Sequence, residues 1–177
     1  MSHAPTFPHQ PGYPRSWRGR PHRLVPAERA LLTWWLDHEP MRIDELWFDV
    51  PLDGTPAAAG ADSHAAQILD PEWLRVWQRQ RARRADVIMR SGKMYRVIEL
   101  RSIADTQTVG EVLIYDQMIR AEHPNLIVMP AIVITQQVRP GVAAAIHQAK
   151  FRLVVAPADL YDSALTHNRF LPTLQSP

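Results

Sequence analysis

Apolar positions recur along this chain first at helical spacing and then at strand spacing, and that alternation predicts an α/β order. Residues Pro26 to His38 read as a first helix, with Pro26 near its N1 position and Leu31, Trp34, Trp35 and His38 on one face. Leu24 and Val25 would staple its start. Ile43 to Leu52 alternates as a strand that Pro51 and Asp53-Gly54 end. Residues 53–69 are small and polar and read as a loop. Asp70-Pro71-Glu72 then supplies a cap, an N1 proline and a first-turn acid for an inserted helix carrying Trp73, Leu74 and Trp77 inward. Two β-rich runs follow, Asp86 to Arg90 and Met94 to Arg101. Thr106 to Glu122 is an amphipathic helix with Val109, Val112, Leu113 and Ile119 on its stripe, stopped by Pro124. Met129 to Thr135 is an apolar strand whose Ile-Val-Ile run predicts burial on both faces. A helix over Pro140 to Lys150 and a last strand over Phe151 to Ala156 complete the order.

The hairpin is the most informative stretch. Ser91-Gly92-Lys93 joins its two runs, and glycine at the first central position of a two-residue loop signals a type II′ turn. Ser91 then faces Met94, and stepping outward puts Asp86 across from Glu99, with Cβ atoms roughly 4.5–5.5 Å apart. Arg101, two residues beyond Glu99, projects from the same face. Two adjacent carboxylates in an apolar hairpin repel each other and resist burial. A hard divalent cation such as Mg²⁺ would offset this. A guanidinium beside them would as well: Asp86 pairing with Arg101, and Glu99 bonding a neighbouring arginine, makes a self-satisfied structural group.

Composition narrows the chemistry. The 177 residues suit one domain with extensions, and no apolar run approaches the ~18 residues of a membrane span. The absence of cysteine excludes disulfides, thiolate zinc sites and cysteine nucleophiles. With only 7 glycines and no glycine-rich loop, nucleotide-binding fingerprints are missing, and the 8 histidines show no paired ligand spacing. Net charge is +2, yet lysine occurs only at positions 93 and 150, so the basic character is arginine's. Arginine suits phosphate and carboxylate contacts, although GC-rich coding DNA would give the same bias.

The basic residues also cluster. Residues 1–25 form a Pro/Arg-rich arm in which Pro5, Pro8, Pro11, Pro14 and Pro21 favour extended backbone. Arg15, Arg18, Arg20 and Arg23 interleave there with Tyr13 and Trp17, which fits either a disordered tail or an arm draped over a partner or DNA backbone. Arg75, Arg79 and Arg83 share one face of the inserted helix, with Arg84 beyond it. This stripe is a solvated face, a phosphate-tracking surface or a partner contact. The N-terminus has no apolar core of a secretory signal, so a cytoplasmic or virion location is expected rather than secretion.

At Asp86, Glu99 and Arg101 the chain resembles the PD-(D/E)xK nuclease superfamily, in which an Asp opening one strand and a Glu-x-Lys on its hairpin partner bind metal and position water. The resemblance covers residues 26–160, with 53–83 as an inserted loop and helix and 161–177 as a C-terminal tail. It implies a restriction-endonuclease-like αβββαβ core, a mixed central sheet flanked by helices. It also implies Asp86 and Glu99 as Mg²⁺ ligands, with Glu28 of the first helix completing the metal site as in some relatives; Glu111, where relatives carry Gln, would either add a metal ligand or repel an approaching DNA phosphate. Arg101 falls on the catalytic lysine position. Many relatives carry Gln-x-x-x-Tyr on the following helix, where this chain has Glu111 and Tyr115, still on one helical face. Lys93 at the hairpin tip and Lys150 on a later helix are poor replacements for the missing amine.

Arginine stays protonated and cannot act as a base, though it could neutralise transition-state charge. The expectation is therefore a nuclease-fold protein whose catalysis has lapsed. Such a protein would serve as a structural or adaptor subunit of a larger homo- or hetero-oligomeric assembly, of the phage head–tail connector or neck type, surrounding double-stranded DNA. The alternatives are a Mg²⁺-dependent deoxyribonuclease using Asp86, Glu99, Arg101 and Tyr115, and a non-cleaving DNA-binding module.

Overall fold

Gly92 has φ 62° whereas Lys93 does not share that left-handed conformation, as a type II′ turn requires. In a computed structural model of the protein, which describes residues 12–17, 24–52 and 84–160, this turn joins β2 (Arg84–Ser91) to β3 (Met94–Ala104). Ser91 lies opposite Met94 and Val87 opposite Ile98. The register is the one the turn residues predict.

β1 (Glu45–Pro51) pairs antiparallel with the outer side of β2. It is shorter than the Ile43 to Leu52 run suggests. On the far side of β3 lie two parallel strands, β4 (Ile127–Val128) against its start and β5 (Ile132–Val138) against its end. The strand expected over Met129 to Thr135 thus begins only at Ile132 and runs on to Val138, because Pro130 has no N–H to give to a ladder and residues 129–131 separate β5 from the short β4 before it. β6 (Arg152–Val155) runs parallel to β5. The result is a mixed six-stranded sheet in the order β1-β2-β3-β5-β6, with β4 on β3.

Three helices among the described residues flank it: α1 (Pro26–His38), α2 (Thr106–Glu122) and α3 (Val142–Gln148). Asp105 caps α2, accepting at Oδ1 from the Thr108 N–H while its own N–H donates to Thr108 Oγ1. Leu31, Leu32, Trp35 and Leu36 of α1 pack on one face of the sheet with Leu46, Met89, Ile98, Leu100, Ile132 and Ile134. Val112, Tyr115 and Ile119 of α2 and Val142 and Ile146 of α3 pack on the other with Trp47, Ile88, Val97 and Val133. β5 is buried on both sides, as its Ile-Val-Ile run predicts.

Two helix faces differ from expectation. Trp34 is only partly buried at the edge of the α1-side core, and exposed His38 stacks on it, ring centroids 5.1 Å apart. In α2 the stripe runs Thr108, Val112, Tyr115, Ile119, which leaves Leu113 exposed, since one residue turns the helix about 100°.

The arm is partly built into the fold. Tyr13 and Leu46 exchange two backbone hydrogen bonds of 2.8 Å, and Trp17 stacks on Phe48. β1 also has a break in alternation. Phe48 and Val87 face α1, but Val50 and Ala85, two residues along each strand, pack on the opposite side. Residues two apart normally share a face. The reversal falls at Asp49, whose φ is 50°, and at Asp86, which follows Ala85. Arg84 holds Asp49 there through both its carboxylate and its carbonyl. The predicted 53–69 loop, the helix from Asp70 and the 161–177 tail lie outside the described residues.

Candidate functional site

The register carries the two acids to neighbouring positions at the open end of the hairpin ladder. Beyond the Val87–Ile98 pair, Asp86 turns its carboxylate toward β3, and Oδ2 accepts the Leu100 N–H at 2.8 Å. Glu99 is fully buried.

Arg101 stands among four carboxylates. Its Nη2 lies 2.6 Å from Glu99 Oε1 and 2.8 Å from Glu111 Oε2. Its Nη1 lies 3.5 Å from Glu28 Oε1 and 3.7 Å from Asp86 Oδ2. Each acid comes from a different element. The N-terminal turn of α1 presents Glu28, whose second oxygen accepts the Val25 N–H. α2 presents Glu111, which Gln107 braces through a 2.8 Å hydrogen bond one turn earlier. Gln107 was not singled out in the sequence, although its i, i+4 spacing to Glu111 was legible. Tyr115, one turn beyond Glu111, is buried beside the group.

Four carboxylates around one guanidinium leave an excess of negative charge, which protonation relieves. Burial first, then Glu28 and Glu111, push the Asp86 carboxyl up to about 6, against the pull of the Leu100 N–H and Arg101. Burial and the neighbouring Asp86 raise Glu99 well above the usual carboxylate range. Burial opposes the charge on Arg101, but Glu99, Glu111 and Asp86 outweigh it and raise its pKa further. Tyr115 is pushed up to about 12, by burial and then by Glu99 and Glu111. Glu99 and Arg101 are close but poorly aligned: neither Glu99 oxygen accepts a well-directed hydrogen bond, despite the 2.6 Å separation. Their attraction is that of charges more than of a directed bond.

The donor set suits Mg²⁺ in kind, since hard oxygens are its usual ligands. The arrangement does not. A permanent cation already sits within reach of all four carboxylates, and no group of three or more His, Asp or Glu among the described residues is disposed to hold a metal ion. The ion pair of Asp86 with Arg101 is present, but Glu99 turns to this same arginine and not to another.

The other basic residues expected to touch a partner fare differently. Arg15 binds within the chain, donating to the carbonyls of Leu36, Glu39 and Met41 at the end of α1. Arg84 is engaged by Asp49. Both guanidinium groups are therefore engaged in the fold, at the ends of α1 and β1. Arg18, Arg20, Arg23, Arg75, Arg79 and Arg83 lie outside the described residues. No helix among the described residues is long and apolar enough to cross a membrane. No family model, curated protein or solved structure matches the chain.

Proposed function

We propose that this protein is a non-cleaving member of the restriction-endonuclease-like fold, acting as a structural or adaptor subunit of a larger assembly. The observation that carries the reading is the position of the Arg101 guanidinium, within 4 Å of Glu28, Asp86, Glu99 and Glu111. A nuclease of this superfamily needs those acids for a metal ion and an amine to manage the attacking water. Here one side chain supplies the cation and cannot release a proton. Apart from the two-residue β4 between α2 and β5, the element order α1, β1, β2, β3, α2, β5 supports an αβββαβ core. The arginine-rich segments on either side of β1 support contacts with other subunits or with duplex DNA.

Incubation of the purified protein with supercoiled plasmid and Mg²⁺ or Mn²⁺ tests this. The proposal expects no nicking above a metal-free control, and a mass in solution above that of one chain. Metal-dependent nicking that Asp86→Ala abolishes would replace it with the deoxyribonuclease reading. One observation favours that rival: both oxygens of Glu99 lack a directed hydrogen bond. Gel shifts over a salt series separate a DNA-binding role, since phosphate contacts weaken steeply with added salt.

A further inference from the structure

Arg96 is the least expected residue in the sheet. It lies on β3 with Ile98 and Leu100, on the face that packs against α1, and only 8% of it is exposed. No hydrogen bond or ion pair to its guanidinium occurs among the described residues. Its Nε is sealed from solvent without an acceptor, so Nη1 and Nη2 are the nitrogens that keep contact with solvent. A buried, unpaired guanidinium is costly, and native proteins pair such groups.

The one carboxylate near Arg96 among the described residues is already committed. Glu39, buried just past α1, accepts at Oε2 from Trp35 Nε1 at 2.9 Å, and the same oxygen is ion-paired with Arg152 Nη1 2.8 Å away. Its Oε1 accepts the Met41 N–H at 3.3 Å. Arg152 opens β6 beside Ile132 and, like it, faces α1. Burial first and the charge of Arg152 second hold Arg96 below its ordinary pKa, while Glu39 pulls the other way. The carbonyls ending α1 would repel an anion, but Arg15 donates to three acceptors there.

We infer that Arg96 and Arg152 form a site for a phosphate group at the C-terminal end of α1, on the sheet face bearing Ile98 and Ile132. Guanidinium forks bind phosphate in bidentate fashion, and these two, on β3 and β6 with β5 between them, project from the same sheet face and present donors from two directions. Charge selects the ligand. Three arginines and Glu39 leave a formal +2, and the helix end subtracts roughly half a charge. A phosphate carrying about −1.5 to −2 fits that balance, whereas a single carboxylate leaves part of it uncompensated. This site lies apart from the Arg101 cluster and does not depend on the reading given to it.

Calorimetric titration of the whole protein with inorganic phosphate, at ionic strength held constant with chloride, is the test. One saturable site is expected, weakened about tenfold or more by Arg152→Gln and by Arg96→Met, the loss of a charge-assisted hydrogen bond. Arg152 is 45% exposed, and in Arg152→Gln the buried Glu39 keeps its Trp35 and Met41 donors, so this variant should fold even where Arg96→Met does not. Phenyl phosphate is the second probe: binding of it identifies an esterified phosphate as the ligand, and binding of inorganic phosphate alone identifies the free anion. The inference falls if no saturable heat appears into the millimolar range. It falls equally if Arg152→Gln binds phosphate as the native protein does, or if acetate competes on equal terms.

Discussion

Arg101 reaches back along β3 to place Nη2 2.6 Å from Oε1 of Glu99, a buried carboxylate. The two residues are separated by one position on the strand, and the pair closes a ring of acids delivered by α1, β2 and α2. Arginine thereby does structurally what a bound cation would do: it makes the convergence of Glu28, Asp86, Glu99 and Glu111 tolerable.

Removing the guanidinium should therefore cost far more than a surface arginine does. Arg101→Met leaves Glu99 buried beside three acids, and breaking a buried pair in this way costs about 3 kcal/mol or more at neutral pH. Urea unfolding of the single variant and of the Arg101→Met, Glu99→Gln double variant measures it. The double variant should recover most of the loss, because it removes the stranded charge.

Stability should also depend on pH through Asp86. Its carboxyl is raised to about 6 in the fold, against about 4 in an unfolded chain. The folded state thus binds the proton more tightly. The stabilisation from this group is complete below pH about 4 and is lost as pH rises through about 6. Relative to Asp86→Asn, which can still accept the Leu100 N–H through its amide oxygen, the native protein should lose on the order of 2–3 kcal/mol between pH 4 and 7. Unfolding curves of both proteins across that range give the difference directly.

Arg15 ties the arm to the end of α1. Its donors meet the Leu36, Glu39 and Met41 carbonyls, so Arg15→Ala should destabilise the fold by about 1–3 kcal/mol. Hydrogen exchange should locate the loss in the last turn of α1.

The hairpin turn makes a smaller, cleaner case. No atom lies within 4 Å of a methyl group added at Gly92, so Gly92→Ala meets only the strain of its φ of 62°. That strain is worth about 1–2 kcal/mol. Thermal unfolding should show that loss with the circular dichroism of the folded state unchanged.

The hairpin, its register and both limits of α2 were legible because each rests on local chemistry: the Gly92 turn, the Asp105–Thr108 cap and Pro124. The convergence of Glu28 and Glu111 on Arg101 was legible only through the family resemblance, since contacts between separate elements leave no local pattern. What local pattern could not convey was tertiary. The alternation of β1 breaks because Asp49 takes a left-handed conformation that Arg84 supports from a distant strand. Arg15 reads as part of a basic arm, yet it serves acceptors more than twenty residues away. Arg96 did leave a trace, an arginine in phase with Ile98 and Leu100 on an otherwise apolar strand face.

Mn²⁺ titration followed by electron paramagnetic resonance addresses the central claim, that Arg101 holds the place of a metal ion. The native protein should leave the free Mn²⁺ signal undiminished in the micromolar range, and Arg101→Ala should gain a single site that a further Asp86→Ala change removes. Tight binding of one Mn²⁺ by the native protein, lost in Asp86→Ala, would contradict the account.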